Sequence, residues 1–232
     1  MVTMRKITGL SLMLSLVACG SGSGRIAGVN STLANVQVLN ASTTAIDLLE
    51  NQGASAGNSN IAFGAASQCK TVEIVSHGLS VRPTGVQTTS TLLPSFAANE
   101  RYLVTVTGGT SALTVLSFRN SYTPASGDGG VRLINLSGSG SYDVYVTDPG
   151  AALGTAGATA VIAGAASPYF GVPAGTKQIR LTNNGATQVA FDVGNATITA
   201  GSRSVVVLAA PASGGTTLRT FVFQLSATNT TC

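Results

Sequence analysis

The chain contains no tryptophan, and histidine occurs once, at His77. Charged residues make up only 9% of the 232 positions. Each scarcity removes a class of chemistry. One histidine cannot furnish the ligand set of a typical zinc site, and any Ser-His-Asp constellation would have to use His77. That residue reads instead as a turn position before Gly78, because histidine is among the few side chains that tolerate positive φ. No Gly-x-Ser-x-Gly elbow is present. The carboxylates are Asp47, Glu50, Glu73, Glu100, Asp128, Asp143, Asp148 and Asp192. Their spacing neither pairs two of them for glycoside hydrolysis nor alternates them as in a calcium loop. Asp128-Gly129-Gly130 and Asp148-Pro149-Gly150 read as turns. Basic residues are scattered, so the clustered footprint of a nucleic-acid partner is missing. Without tryptophan, a sugar-stacking platform would fall to tyrosine. Tyr142 and Tyr145, three apart, point to opposite faces of a strand, one for the core and one for the surface. No catalytic residue, cofactor or metal ligand is expected.

Long apolar runs are also missing, save one. Ile7 to Ala18 is twelve residues long and follows Arg5-Lys6. A membrane-spanning helix needs about 20 apolar residues, so this run has the length of an export-signal core. It closes on Leu16-Val17-Ala18-Cys19-Gly20, the pattern of a bacterial lipoprotein signal. The expectation is a signal peptide over 1–18, cleavage before Cys19 and a lipid on the new N-terminus. Gly20, with no Asp in its place, fits sorting to an outer membrane. Removing 18 of the 232 residues leaves 214, and Arg5 and Lys6 leave with them, so 12 basic residues become 10 against 8 acidic. Of three cysteines, lipid consumes Cys19. Cys69 and Cys232 remain for an oxidising compartment, and a disulfide between them is the expectation, two separate thiols being the other reading.

What is abundant is Gly, Ser, Thr, Asn, Ala and Val, in short alternating runs broken by turn residues, the composition of an all-β protein. After a flexible tether over 19–34, the sequence repeats itself. Val36 to Ser42 matches Val131 to Ser137, both ending in Asn-x-Ser at Asn40 and Asn135. Asp47 matches Asp143, each behind an apolar residue. Phe63 to Ser67 matches Ala163 to Ser167, Lys70 to Ile74 matches Lys177 to Leu181, and Arg101 to Val106 matches Arg203 to Leu208. These matches give two tandem immunoglobulin-like β-sandwich domains, 35–119 and 131–225, with a Pro/Gly/Ser linker over 120–130 and a tail over 226–232. Within the second, Lys177–Thr182 and Thr187–Val193 flank Asn183-Asn184-Gly185, a type I′ hairpin signal; Ser76-His77-Gly78 stands at the corresponding point of the first.

The same residues resemble a bacterial envelope lipoprotein family whose repeated β-sandwich domain is catalogued only as a domain of unknown function. The resemblance is carried by Val131 to Ser137, by Asp143-Val144-Tyr145-Val146, by Tyr169-Phe170-Gly171-Val172-Pro173-Ala174-Gly175, and by Ile198 to Gly201 leading into Val205-Val206-Val207. It covers about residues 35 to 225, more closely in the second half. The family's histidine before Ala-Ser is Asn40 and Asn135 here. The resemblance implies fold and location and brings no catalytic residue.

The functional expectation is a lipid-anchored cell-envelope protein, non-enzymatic, that serves as a binding, adhesion or scaffold module. Its partners are the membrane, through the lipid, and an envelope protein or glycan. The rival expectations are an envelope hydrolase with a site at the domain junction and a carbohydrate-binding module. The anchor is directly testable: Cys19→Ala releases the protein from the membrane fraction on cell fractionation, and retention there would count against the lipidation reading.

Overall fold

Branched and aliphatic residues at alternate positions favour pleated strands with one face buried, and a continuous apolar run favours burial on both faces. This chain uses both. In a computed structural model, residues 32–50, 53–54, 58–74, 78–87, 90–212 and 215–225 are described. Cys19, His77 and Cys232, and with them the expected signal, tether and tail, lie outside the described residues, apart from the end of the tether at 32–34.

The first half contains β1 (Leu33–Asn40), β2 (Ile46–Glu50), β3 (Gly53–Ala54), β4 (Lys70–Glu73), β5 (Leu79–Pro83), β6 (Thr91–Leu92), β7 (Arg101–Gly108) and β8 (Leu113–Arg119). The second contains β9 (Asp128–Leu136), β10 (Ser141–Thr147), β11 (Ala158–Ile162), β12 (Phe170–Pro173), β13 (Gly175–Asn183), β14 (Val189–Ile198), β15 (Arg203–Ala209) and β16 (Arg219–Leu225). Four four-stranded sheets result, with orders β4-β1-β7-β8, β3-β2-β5-β6, β12-β9-β15-β16 and β11-β10-β13-β14. The two halves have the same strand order, including a parallel pair in each, β1 with β7 and β9 with β15.

Three apolar layers hold the sheets. Val36, Val38, Val104 and Val106 meet Ile46, Leu48, Leu79 and Val81 inside the first sandwich. Leu133, Val206 and Leu208 meet Val144, Ile179 and Leu181 inside the second. The intervening residues of the same strands form a third layer: Leu39 and Leu103 from the first half against Ile134, Leu136, Val205 and Val207 from the second. The sheets β4-β1-β7-β8 and β12-β9-β15-β16 are therefore inner sheets, covered on both faces. All seven residues of β15 are buried. The expected sandwiches share this third core.

Matching hydrogen bonds show which residues correspond. Asn40 is fully buried; its amide donates to the Thr44 and Ile61 carbonyls, and its oxygen accepts from the Ser42 N–H and hydroxyl. Asn135 does the same with Gly140, Val161 and Ser137. Enclosed in this way, neither asparagine of these Asn-x-Ser triplets is open to a glycan. Ser67 accepts from Val38 N–H and donates to the Gln68 carbonyl; Ser167 accepts from Leu133 N–H and donates to the Pro168 carbonyl. Asp47 accepts from the Asn60 N–H and Asp143 from the Ala160 N–H, and those two donors have φ of 53° and 54°. Burial pushes the Asp47 carboxyl up, but the Asn60 N–H, the Thr84 hydroxyl and Arg82 together outweigh it and hold the group below its ordinary value.

Three local expectations are corrected. Lys70–Ile74 does not correspond to Lys177–Leu181. β4 flanks β1 as β12 flanks β9, so its counterpart is Phe170–Pro173; a shared lysine and apolar alternation misled the match. The counterpart of Asn183-Asn184-Gly185 is Pro83-Thr84-Gly85, each closed by a bond from the next residue's N–H, Ala186 to Asn183 and Val86 to Pro83. Gly185 has φ 74° while Asn184 keeps a negative φ, which fits a type II rather than a type I′ turn; the strands rejoin only at Thr182 with Val189. Finally, Asp128-Gly129-Gly130 is no turn but the start of β9, paired with Pro173, Val172 and Gly171. The glycines serve close packing. A Cβ on Gly129 would lie 2.5 Å from Ile198 Cγ2, and one on Gly130 would lie 2.6 Å from the Tyr122 ring. Asp148-Pro149-Gly150 is the turn expected, with Ala151 N–H on the Asp148 carbonyl and Gly150 at φ 76°.

Because the third layer joins both halves, heat should unfold residues 32–225 in one calorimetric transition. Ile134→Ala should lower stability by about 2–5 kcal/mol while keeping a single transition. Two resolved transitions in the unmodified protein would show that the shared layer does not couple the halves.

Candidate functional site at the seam of the inner sheets

Six of the eight carboxylates that could have built a hydrolytic centre are committed locally, Glu73 and Asp128 being the others. Asp47 holds Asn60, Thr84 and Arg82. Glu50 pairs with Lys70, Glu100 with Arg119, and Asp148 with Lys177. Asp143 accepts from the Ala160 and Gly185 N–H groups, and Asp192 accepts from Gln178 and the Gly194 N–H. Among the described residues no three His, Cys, Asp or Glu side chains gather at one point. Cys69 is half-buried just ahead of β4. Tyr142 lies in the second core with Phe191 against it, and Tyr145 points to the opposite face, as the three-residue spacing requires.

The chemistry that does gather lies at one end of the seam, where the chain crosses from β8 to β9. Alternation along β9 turns Leu133 into the second sandwich and Arg132 into the shared layer. Arg132 is 3% exposed. It donates to the Arg119 carbonyl at 2.8 Å and lies 4.6 Å above the Tyr169 ring and 5.9 Å from that of Phe118. Its Nε and Nη2 have no hydrogen-bond partner. Arg203, at the start of β15, is also buried and donates to the Asn120 carbonyl. Burial pulls both guanidinium groups below their ordinary value. For each, Tyr169 opposes that shift and a neighbouring arginine adds to it, Arg203 for Arg132 and Arg101 for Arg203. They remain protonated, since an arginine does not give up its proton in a protein. Burial raises the Tyr169 hydroxyl, against the pull of the two arginines, so it stays a donor; it bonds the Asn120 side-chain oxygen at 2.6 Å. Tyr122 stacks on Tyr169 with centroids 5.1 Å apart and planes 18° apart.

Outside this cluster is a cleft of about 410 Å³ lined by Asn99, Arg101, Ser121, Tyr122 and Thr123. No carboxylate lines it. Ser121 bonds Glu100, but Arg101 takes part in none of the four ion pairs among the described residues and in no side-chain hydrogen bond. The cleft therefore offers an uncommitted guanidinium beside amide, hydroxyl and phenol groups, backed by two further buried cations. Such a lining suits binding of a polar, negatively charged group. No local pattern signals it, because Arg101, Tyr122, Arg132, Tyr169 and Arg203 are dispersed and only the sheet stacking brings them together.

Tyr169→Phe deletes the hydroxyl bond to Asn120 and should cost about 1 kcal/mol in urea unfolding. Tyr169→Ala also removes the ring under Arg132 and should cost about 3–5 kcal/mol; equal effects would show that the ring carries no packing role.

No curated protein matches this chain. Residues 34–145 match the model of a family described as a domain of unknown function, DUF4397. The match runs through all of the first half and into β10 of the second, so it covers the half in which the resemblance was expected to be weaker. Over residues 34–145 this chain is therefore similar to the DUF4397 family of domains of unknown function.

Proposed function

We propose that the protein is a non-enzymatic, lipid-anchored component of a bacterial cell envelope, tethered through Cys19 to an outer membrane, and that it serves as a binding or scaffold module. The observation that carries the binding reading is the seam cleft, where the Arg101 guanidinium forms no ion pair or hydrogen bond among the described residues although it sits beside a cluster of bonded side chains. The shared core supports it further, since binding residues are often carried on loops that a packed scaffold positions. The signal pattern Leu16 to Cys19 supports the location. A disulfide between Cys69 and Cys232 belongs to the same reading and suits an oxidising compartment.

A photo-crosslinking residue at Thr123, in the anchored protein within its own envelope, should capture one dominant species. The same residue at Val189, exposed on β14 at a distance from the seam in sequence and sheet order, should not. Equal capture at both positions, or none at Thr123, would overturn the assignment of the seam as the binding surface.

A further inference from the structure

Resting on that binding reading, we propose that the seam cleft recognises an acidic sugar, its carboxylate on Arg101 and its hydroxyls on Asn99, Ser121 and Thr123. The guanidinium of Arg101 presents a planar fork that matches a carboxylate. It stands at the first position of β7, where its strand neighbours Asn35 and the seam fix its backbone. Arg203 lies within electrostatic reach of it, and Arg132 within reach of Arg203, so two buried cations stand behind the cleft. Glu100 pairs with Arg119 and accepts from the Ser121 hydroxyl, which leaves Arg101 without a carboxylate partner among the described residues.

The rest of the lining selects the kind of anion. It contains amide, hydroxyl and phenol groups and no aliphatic side chain. A peptide partner would need an apolar pocket for an anchoring side chain, and the cleft has none. A metal would need carboxylates, and none faces it. One uncommitted charge surrounded by neutral donors and acceptors complements a monoanion rich in hydroxyls. Tyr122 contributes a rigid wall. Its ring is held against Tyr169 and over Gly130, where a Cβ would lie 2.6 Å from two of its carbons. A second hollow, about 220 Å³ between Pro83, Thr91 and the β7–β8 turn, has no charged residue in its lining.

The test is saturation-transfer NMR on the full-length lipid-anchored protein in detergent, with D-glucuronate, D-glucose and acetate as separate probes. Glucuronate should bind, with glucose and acetate each at least about tenfold weaker. Arg101→Gln should weaken glucuronate by about tenfold or more, and Arg101→Lys, which keeps the charge and loses the fork, by less. Thr123→Val, on the exposed linker, should weaken it several-fold and serves if Arg101→Gln lowers the melting temperature. Absence of glucuronate binding at millimolar concentration would overturn the proposal. So would equal affinity for glucose, equal affinity for acetate, or unchanged affinity in both Arg101→Gln and Thr123→Val. Glucuronate binding without Thr123-specific capture in the envelope would sink the reading of cellular role and leave this one standing; the converse would sink this one alone.

Discussion

The structure depends on burying both faces of its two inner sheets. Strands β1, β7, β9 and β15 send alternate side chains into a sandwich on one side and into the shared layer on the other. Neither half could expose that second face to water without leaving Leu39, Leu103, Ile134, Val205 and Val207 uncovered, an apolar patch of the size that monomeric surfaces avoid. The hydrophobic effect thus sets the arrangement of the halves as well as their interiors. Side chains at the rim add directed contacts. Arg219 lies 3.7 Å over the Phe63 ring and donates to the Ser42 carbonyl, bonding one half to the other, while Phe221 closes on Phe63 edge to face.

Against that apolar layer, the cluster of Arg132, Arg203 and Tyr169 is an exception. A buried charge is costly unless its donors are met. Here backbone carbonyls of the crossing segment, Arg119 and Asn120, and the face of Tyr169 meet part of the need. No carboxylate forms an ion pair with Arg132 among the described residues, and two of its nitrogens have no hydrogen-bond partner. Local rules are broken most often where function or specificity requires it. In this chain the break lies beside a polar cleft and next to the segment that joins the halves.

Much of the fold was legible. Alternation located the strands, and the matches between Asn40 and Asn135, Asp47 and Asp143, and Ser67 and Ser167 turn out to be residues making the same bonds in the same places. They were readable because each serves its own turn, a few residues away or across one sandwich. The mismatches arose where local pattern was ambiguous. Lys70 and Lys177 both begin alternating runs, and nothing nearby tells a sheet edge from a sheet centre. Gly129 and Gly130 carry the composition of a turn, but they are glycine because Ile198 and the Tyr122 ring press on them from far along the chain. The run Val205 to Ala209, apolar at every position, was the one sign that a strand had two buried faces.

By itself the sequence determined the all-β class, the alternating runs that become strands, the turn at Asp148-Pro149-Gly150 and the expectation of export and lipidation, because each rests on contacts or periodicities within a short span. Only the tertiary structure decided that the two sandwiches share a core and that a cationic cleft opens at its edge. Those features come from residues as distant along the chain as Leu39 and Val207, brought together by the packing of whole sheets, and no local pattern encodes which face of a sheet meets which.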